Sequence, residues 1–104
     1  LCPVNLRAAI PHDVDTPIFA RTVEVGGKPR PYLELIAWPA LVTMAWLPAT
    51  VVPVGRTPEG LPVGVQIVGP WLEDRTTLAF ARAVETLRGG FEPPPGFARA
   101  PGEA

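Results

Sequence analysis

Leu47-Pro48-Ala49-Thr50-Val51-Val52-Pro53-Val54-Gly55, followed by Gly60-Leu61-Pro62-Val63-Gly64-Val65-Gln66-Ile67-Val68-Gly69-Pro70, is the stretch of this chain that decides its fold. Thr50 to Val54 and Pro62 to Val68 are rich in β-branched residues, whose stiff side chains suit a pleated surface. The intervening Gly55-Arg56-Thr57-Pro58-Glu59-Gly60-Leu61 carries two glycines and a proline and reads as a loop. Two adjacent strands are expected here, joined by that loop and antiparallel. Gln66, flanked by Val65 and Ile67 in a strand that should be buried, must hydrogen-bond its amide, and neighbouring backbone is the expected partner.

Downstream, Asp74 is the expected cap of a helix whose spacing shows in Phe80, Val84 and Leu87, and Gly89-Gly90 is its stop signal. From Glu92 the Pro93-Pro94-Pro95-Gly96 run should be extended, with residues 98–104 a disordered tail. Upstream, Pro31 can open a helix, and Tyr32, Leu33, Leu35, Ile36, Trp38, Leu41, Val42, Met44 and Ala45 cover too much of its circumference for a surface element. This helix is therefore expected to be buried. Pro39 removes a donor within it, so either two short helices meet near Trp38 or one helix kinks there, and Pro48 ends the stretch. Phe19, Arg21, Val23 and Val25 alternate into Gly26-Gly27, as a strand entering a turn does. Cys2 to Leu6 reads as extended and Ala8 to Asp15 as a loop.

The chain has 104 residues, 47% hydrophobic and 18% charged, with a net charge of −1. Its apolar residues are concentrated between Tyr32 and Val68 in blocks that expect cover on both sides, so the chain reads as a piece of something larger or as half of an oligomer. The balanced charge offers no cationic stripe for nucleic acid and no polybasic run for a lipid surface. The longest apolar run, Leu35 to Val42, contains Pro39 and falls far short of the roughly 20 residues that span a bilayer. The opening Leu1 to Leu6 has no basic region of the kind a signal peptide carries, which points to a chain cut from a longer one and to a cytoplasmic setting. A lone Cys2 requires no oxidising compartment.

The reactive inventory is short. There is no serine, and Lys28, His12, Cys2, Asn5 and Gln66 are single representatives of their types, so Ser-His-Asp and Ser-Lys mechanisms are excluded by composition. Cys2 with His12 would be the one thiol–imidazole pair, but no residue is placed to orient the imidazole. His12, Asp13 and Asp15 could be drawn as metal ligands, although a site would want a second His or Cys, and a loop bonded to its own backbone is the simpler role. The glycines at 55, 60, 64 and 69 match neither a P-loop nor a dinucleotide fingerprint. No metal, cofactor or catalytic residue is assigned.

The stretch from Leu47 to Pro70, with Asp74 leading into a helix that carries Ala81 and Glu85, resembles the C-terminal signature of the amidase-signature family, which includes fatty-acid amide hydrolases and the amidase subunit of transamidating amidotransferases. Leu1-Cys2-Pro3-Val4, Pro11-His12-Asp13, Pro31-Tyr32 through Trp38, and the Phe91 to Phe97 ending fit as well, so the resemblance covers residues 1–97 as one segment of an amidase domain. It departs at one place. Many members have Asn-x-x-Gly-x-Pro-Ala before the first strand, whereas this chain has Thr43-Met44-Ala45-Trp46-Leu47-Pro48-Ala49.

The resemblance implies an α/β fold, in which this segment contributes part of a mixed sheet with flanking helices. It also implies a serine nucleophile, a second serine and a lysine, all upstream of these residues; Lys28, in a Gly-Lys-Pro turn, does not match that lysine. What remains for this chain is structural completion and a pocket wall for a small-molecule amide, with Trp38, Met44 and Trp46 as the lining residues, although core filling would also explain the tryptophans. The expected partner is the upstream amidase segment or a second copy of the chain. The alternative is a non-catalytic module that associates with itself through uncovered sheet faces and edges.

Overall fold

The computed structural model describes residues 1–97; the expected tail at 98–104 lies outside them. The elements run in the order β1 (Cys2–Pro3), β2 (Thr22–Val25), β3 (Lys28–Pro31), a 3₁₀ turn (Tyr32–Ile36), α1 (Ala37–Met44), β4 (Ala49–Arg56), β5 (Pro62–Val68) and α2 (Asp74–Arg88). This is an α/β arrangement of two small sheets with flanking helices, and every strand pairing among the described residues is antiparallel.

The signature strands form the centre. In the order β1-β5-β4, Val52 faces Val65, Thr50 faces Ile67 and Val51 faces Gln66, with a bulge between Pro53 and Gly55. Pro53 has no N–H to donate, and β4 lies at the sheet edge, where strand prolines are tolerated. One face of this sheet receives α2, and Val52, Ile67 and Ala81 are buried together with Val54, Val65 and Val84 packed around them. Of the segment Cys2 to Leu6, read as extended, only Cys2–Pro3 pairs as a strand. Cys2 pairs with Gln66, and the Gln66 amide donates to the Cys2 Sγ at 3.5 Å, so its partner is a side-chain thiol rather than backbone.

Helix α2 begins at Asp74 itself, one residue earlier than a capping role for that side chain requires. Glu73 is the N-cap and makes no side-chain bond to the first-turn amides. Its packed side runs along Thr77, Ala81 and Val84, while Phe80 and Leu87 face outward, because the small Thr77 and Ala81 let the helix approach the strands closely. Gly89 closes it at φ 92, with the Gly90 N–H bonded to the Glu85 carbonyl at 3.0 Å.

The hairpin around Gly26-Gly27 corrects two expectations. Phe19 is in a turn and exposed, so β2 starts only at Thr22, and the residues after the glycines form β3 despite Pro29 and Pro31. Gly26 and Gly27 have φ of 58 and 75, as a two-residue turn matching strand twist demands. The helical stretch divides as one of the two sequence alternatives has it: a 3₁₀ turn meets α1 at Ile36–Ala37. Pro39 is tolerated because it lies in the first turn of α1, where backbone N–H groups have no intrahelical acceptor.

Burial of α1 is not observed. No residue of α1 is buried, and Leu41 and Met44 are widely exposed, since no other described element covers this face. The radius of gyration of 16.4 Å exceeds the about 13 Å of a compact 100-residue domain. The accessible surface of 8328 Å² likewise exceeds the about 5,700 Å² that size scaling gives for this mass.

Candidate functional site

The segment joining α1 to β4 is where this sequence departs from the pattern it resembles, and its backbone shows what the departure does. Helix α1 ends at Met44 with Ala45 as C-cap. The Trp46 N–H then bonds the Thr43 carbonyl at 3.1 Å and the Leu47 N–H bonds the Val42 carbonyl at 3.2 Å. That pair of bonds is a Schellman closure, whose defining residue takes the left-handed conformation usually given to glycine. Here the residue is Trp46, with φ of 56. A Cβ in that region costs about 1 kcal/mol or more, so the Trp46 backbone is strained while the residue is 82% exposed.

The three expected pocket residues lie along this stretch but do not converge on a closed cavity. Trp38 is half-buried at the start of α1, whereas Met44 and Trp46 project from its end into solvent. None of the three lines either cavity described next. Beside β1 and β5, a cavity of about 660 Å³ is walled by Cys2, Val4, Val51, Gly64 and Val65, and Gln66, 4% exposed, lies next to it on β5 between β1 and β4. Its lining is predominantly aliphatic and holds one thiol.

The other cavity lies between the opening loop and the β2–β3 hairpin and includes His12 and Asp13. Asp13 Oδ1 accepts the Thr16 N–H at 2.9 Å, which is the loop-bonding role expected of it. The Thr16 backbone and hydroxyl, with help from Arg21, hold its carboxyl below its ordinary pKa. Cys2 and His12 line different cavities, and among the described residues no three His, Cys, Asp or Glu side chains gather as metal ligands would. Arg7 and Arg21 share the His12 cavity, a pairing that no sequence spacing announces because the loop fold brings them together. Among the described residues no helix is long and apolar enough to cross a membrane.

Comparison with known proteins accords with this arrangement. The sequence model of the amidase family matches residues 1–78, from the opening strand to the first turns of α2. A glutamyl-tRNA(Gln) amidotransferase subunit from Afipia carboxidovorans is 35% identical over 81 residues, covering 75% of this chain and 16% of that protein. Fatty-acid amide hydrolase 2-A of Danio rerio is 50% identical over 48 residues (46% of this chain and 9% of the relative), and indoleacetamide hydrolase of Allorhizobium ampelinum is 54% identical over 41 residues (39% and 9%). The chain spans about a tenth to a sixth of the length of the curated relatives it matches. The chain belongs to the amidase family.

Proposed function

We propose that this chain is the C-terminal structural and pocket-lining part of an amide-bond hydrolase, and that it is inactive until an upstream polypeptide supplies the Ser-Ser-Lys catalytic set. The observation that carries the reading is a mismatch between membership and means: residues 1–78 match a hydrolase family, yet the chain has no serine. The exposed Leu41, Met44 and Trp46, and the solvent-facing Val51 and Val63, supply the uncovered apolar surface that such a partner would bury. In the assembled enzyme Trp38, Met44 and Trp46 line the acyl side of a small-molecule amide site, and the reaction, hydrolysis to a carboxylate and an amine, proceeds on upstream side chains. No cofactor takes part, and the free thiol of Cys2 suits a cytoplasmic protein.

A second reading has one observation in its favour. Strand β4 leaves one edge of the three-stranded sheet unpaired over eight residues, and a self-associating module would use it. Mixing the chain with a separately produced upstream amidase segment separates the two. Amidase activity that appears only in the mixture supports the first reading. A stable homodimer that ignores the segment, with no activity gained, refutes it.

A further inference from the structure

The cavity between the opening loop and the hairpin has a volume of about 580 Å³, within the about 300–1,000 Å³ typical of small-molecule sites. Two guanidinium groups line it, and each is fixed by the main chain. Arg7 donates from Nη1 to the Glu24 carbonyl at 2.8 Å, and Arg21 donates from Nε to the Thr16 carbonyl at 2.6 Å. Arg21 also lies over the Tyr32 ring, 5.6 Å from its centroid, and the Tyr32 N–H is itself bonded to the Arg21 carbonyl at 3.0 Å.

Neither guanidinium forms an ion pair; the ion pairs among the described residues are Arg30 with Glu34 and Arg56 with Glu92. A guanidinium has five N–H donors, and one carbonyl acceptor leaves most of them available. Held and charged, with no carboxylate within salt-bridge distance although Arg21 feels the charge of Asp13, these forks match the geometry of a carboxylate, which arginine receives through two parallel bonds. Two acidic side chains also line the cavity, and they select among anions. Asp13 is engaged by Thr16, and Glu24 adds a second negative charge, so a dianion is opposed more strongly than a single carboxylate. Ile10, Val14 and the Tyr32 ring provide apolar wall beside the charged groups.

We infer that this cavity binds a small monocarboxylate with an apolar body, its carboxylate received by Arg7 and Arg21 and its body lying against Tyr32, Ile10 and Val14. The inference does not depend on the chain's contribution to amide hydrolysis, because its test measures binding to this chain alone.

The test is a titration of the full 104-residue chain, labelled with ¹⁵N, with benzoate, benzamide and acetate, following the arginine Nε–Hε signals and the backbone amides of Thr22 to Val25. Benzoate should shift the Arg7 and Arg21 signals saturably and bind about tenfold or more tighter than neutral benzamide, the factor that one lost charge-assisted contact gives. Acetate should bind more weakly than benzoate. Arg7→Gln and Arg21→Gln should each weaken benzoate about tenfold while the Val23 and Val25 amides stay in place. Should Arg21→Gln disturb the hairpin, Arg7→Gln and the benzoate–benzamide comparison on the unsubstituted chain still decide. Equal binding of benzoate and benzamide, acetate as tight as benzoate, or undiminished affinity in Arg7→Gln overturns the inference.

Discussion

Replacing Gly69 by alanine tests the tightest glycine position among the described residues. A Cβ built there would lie 2.5 Å from the Thr77 Cγ2 and 3.6 Å from both the Glu73 carbonyl oxygen and the Pro48 ring. Carbon atoms in favourable contact are about 3.5–4.0 Å apart, so the methyl groups overlap by about an ångström or more. Thr77 cannot turn away. It is 2% exposed, accepts a hydrogen bond from the Thr50 hydroxyl and donates one to the Asp74 carbonyl, each 2.8 Å long, and rotating χ1 would break both.

Overpacking of this kind costs about 1–3 kcal/mol, offset by about 0.4–1 kcal/mol from the stiffer unfolded chain. Gly69→Ala should therefore destabilise by about 1–2 kcal/mol, lowering Tm by about 4–8 °C per kcal/mol in a domain of this size. Thr77→Ser removes the clashing methyl and keeps the hydroxyl, at a loss of about 0.8 kcal/mol of buried hydrocarbon. In the double variant the added methyl occupies the vacated space, so the two changes should couple favourably by about 1–2 kcal/mol. Thr77→Val, which keeps the crowding, should give no such relief. Thermal and urea unfolding followed by far-ultraviolet circular dichroism measures all of these. If Gly69→Ala and Thr77→Ser simply add, the steric argument fails.

Three further outcomes are expected. Trp46→Gly should stabilise the isolated chain by about 1 kcal/mol, since a left-handed residue loses its Cβ strain and the exposed indole gives up little packing; a lower Tm would show that the indole is packed in the isolated chain. Ile67→Val should cost about 0.5–1.5 kcal/mol and Ile67→Ala about 2–5 kcal/mol, read from urea midpoints; near-neutral values would mean that the sheet–helix contact does not stabilise the fold. The folded Asp13 carboxyl titrates below its unfolded value, so the turn gains stability above the unfolded pKa and loses it as pH falls through the lower, folded one. The Thr16 amide signal should accordingly shift with a midpoint below that of an ordinary aspartate, and a midpoint at or above it would contradict the hydrogen bond.

The centre of the fold is legible in the sequence because local and tertiary preferences agree there. The β-branched runs became β4 and β5, and Gly89 ends α2 where a left-handed residue is needed. Legibility fails where a residue's local preference points away from its tertiary role. Lys28-Pro29-Arg30-Pro31 looks like a turn and pairs as a strand because the Gly26-Gly27 turn sets its register. The apolar circumference of α1 predicts burial, but burial needs a neighbour, and the described chain has none for that face. Thr77 and Ala81 outrank Phe80 and Leu87 at the helix contact because closeness favours small side chains. At the candidate sites, Trp46 stands out in the sequence as a departure, although its left-handed backbone does not. Arg7 and Arg21 carry no motif, since only the path of the loop brings them to one cavity.

The register of the three-stranded sheet also carries a kinetic consequence. Strands β4 and β5 are joined by a short loop, and α2 follows within a few residues, so this unit can assemble through contacts near in sequence. The bond from Gln66 to Cys2 instead spans 64 residues. Closing so long a loop carries an entropic penalty that grows with its length, and two residues of pairing return little for it. The β4–β5–α2 unit should thus form first and open last, with amide protons of Val52 and Ile67 exchanging with solvent more slowly than that of Cys2.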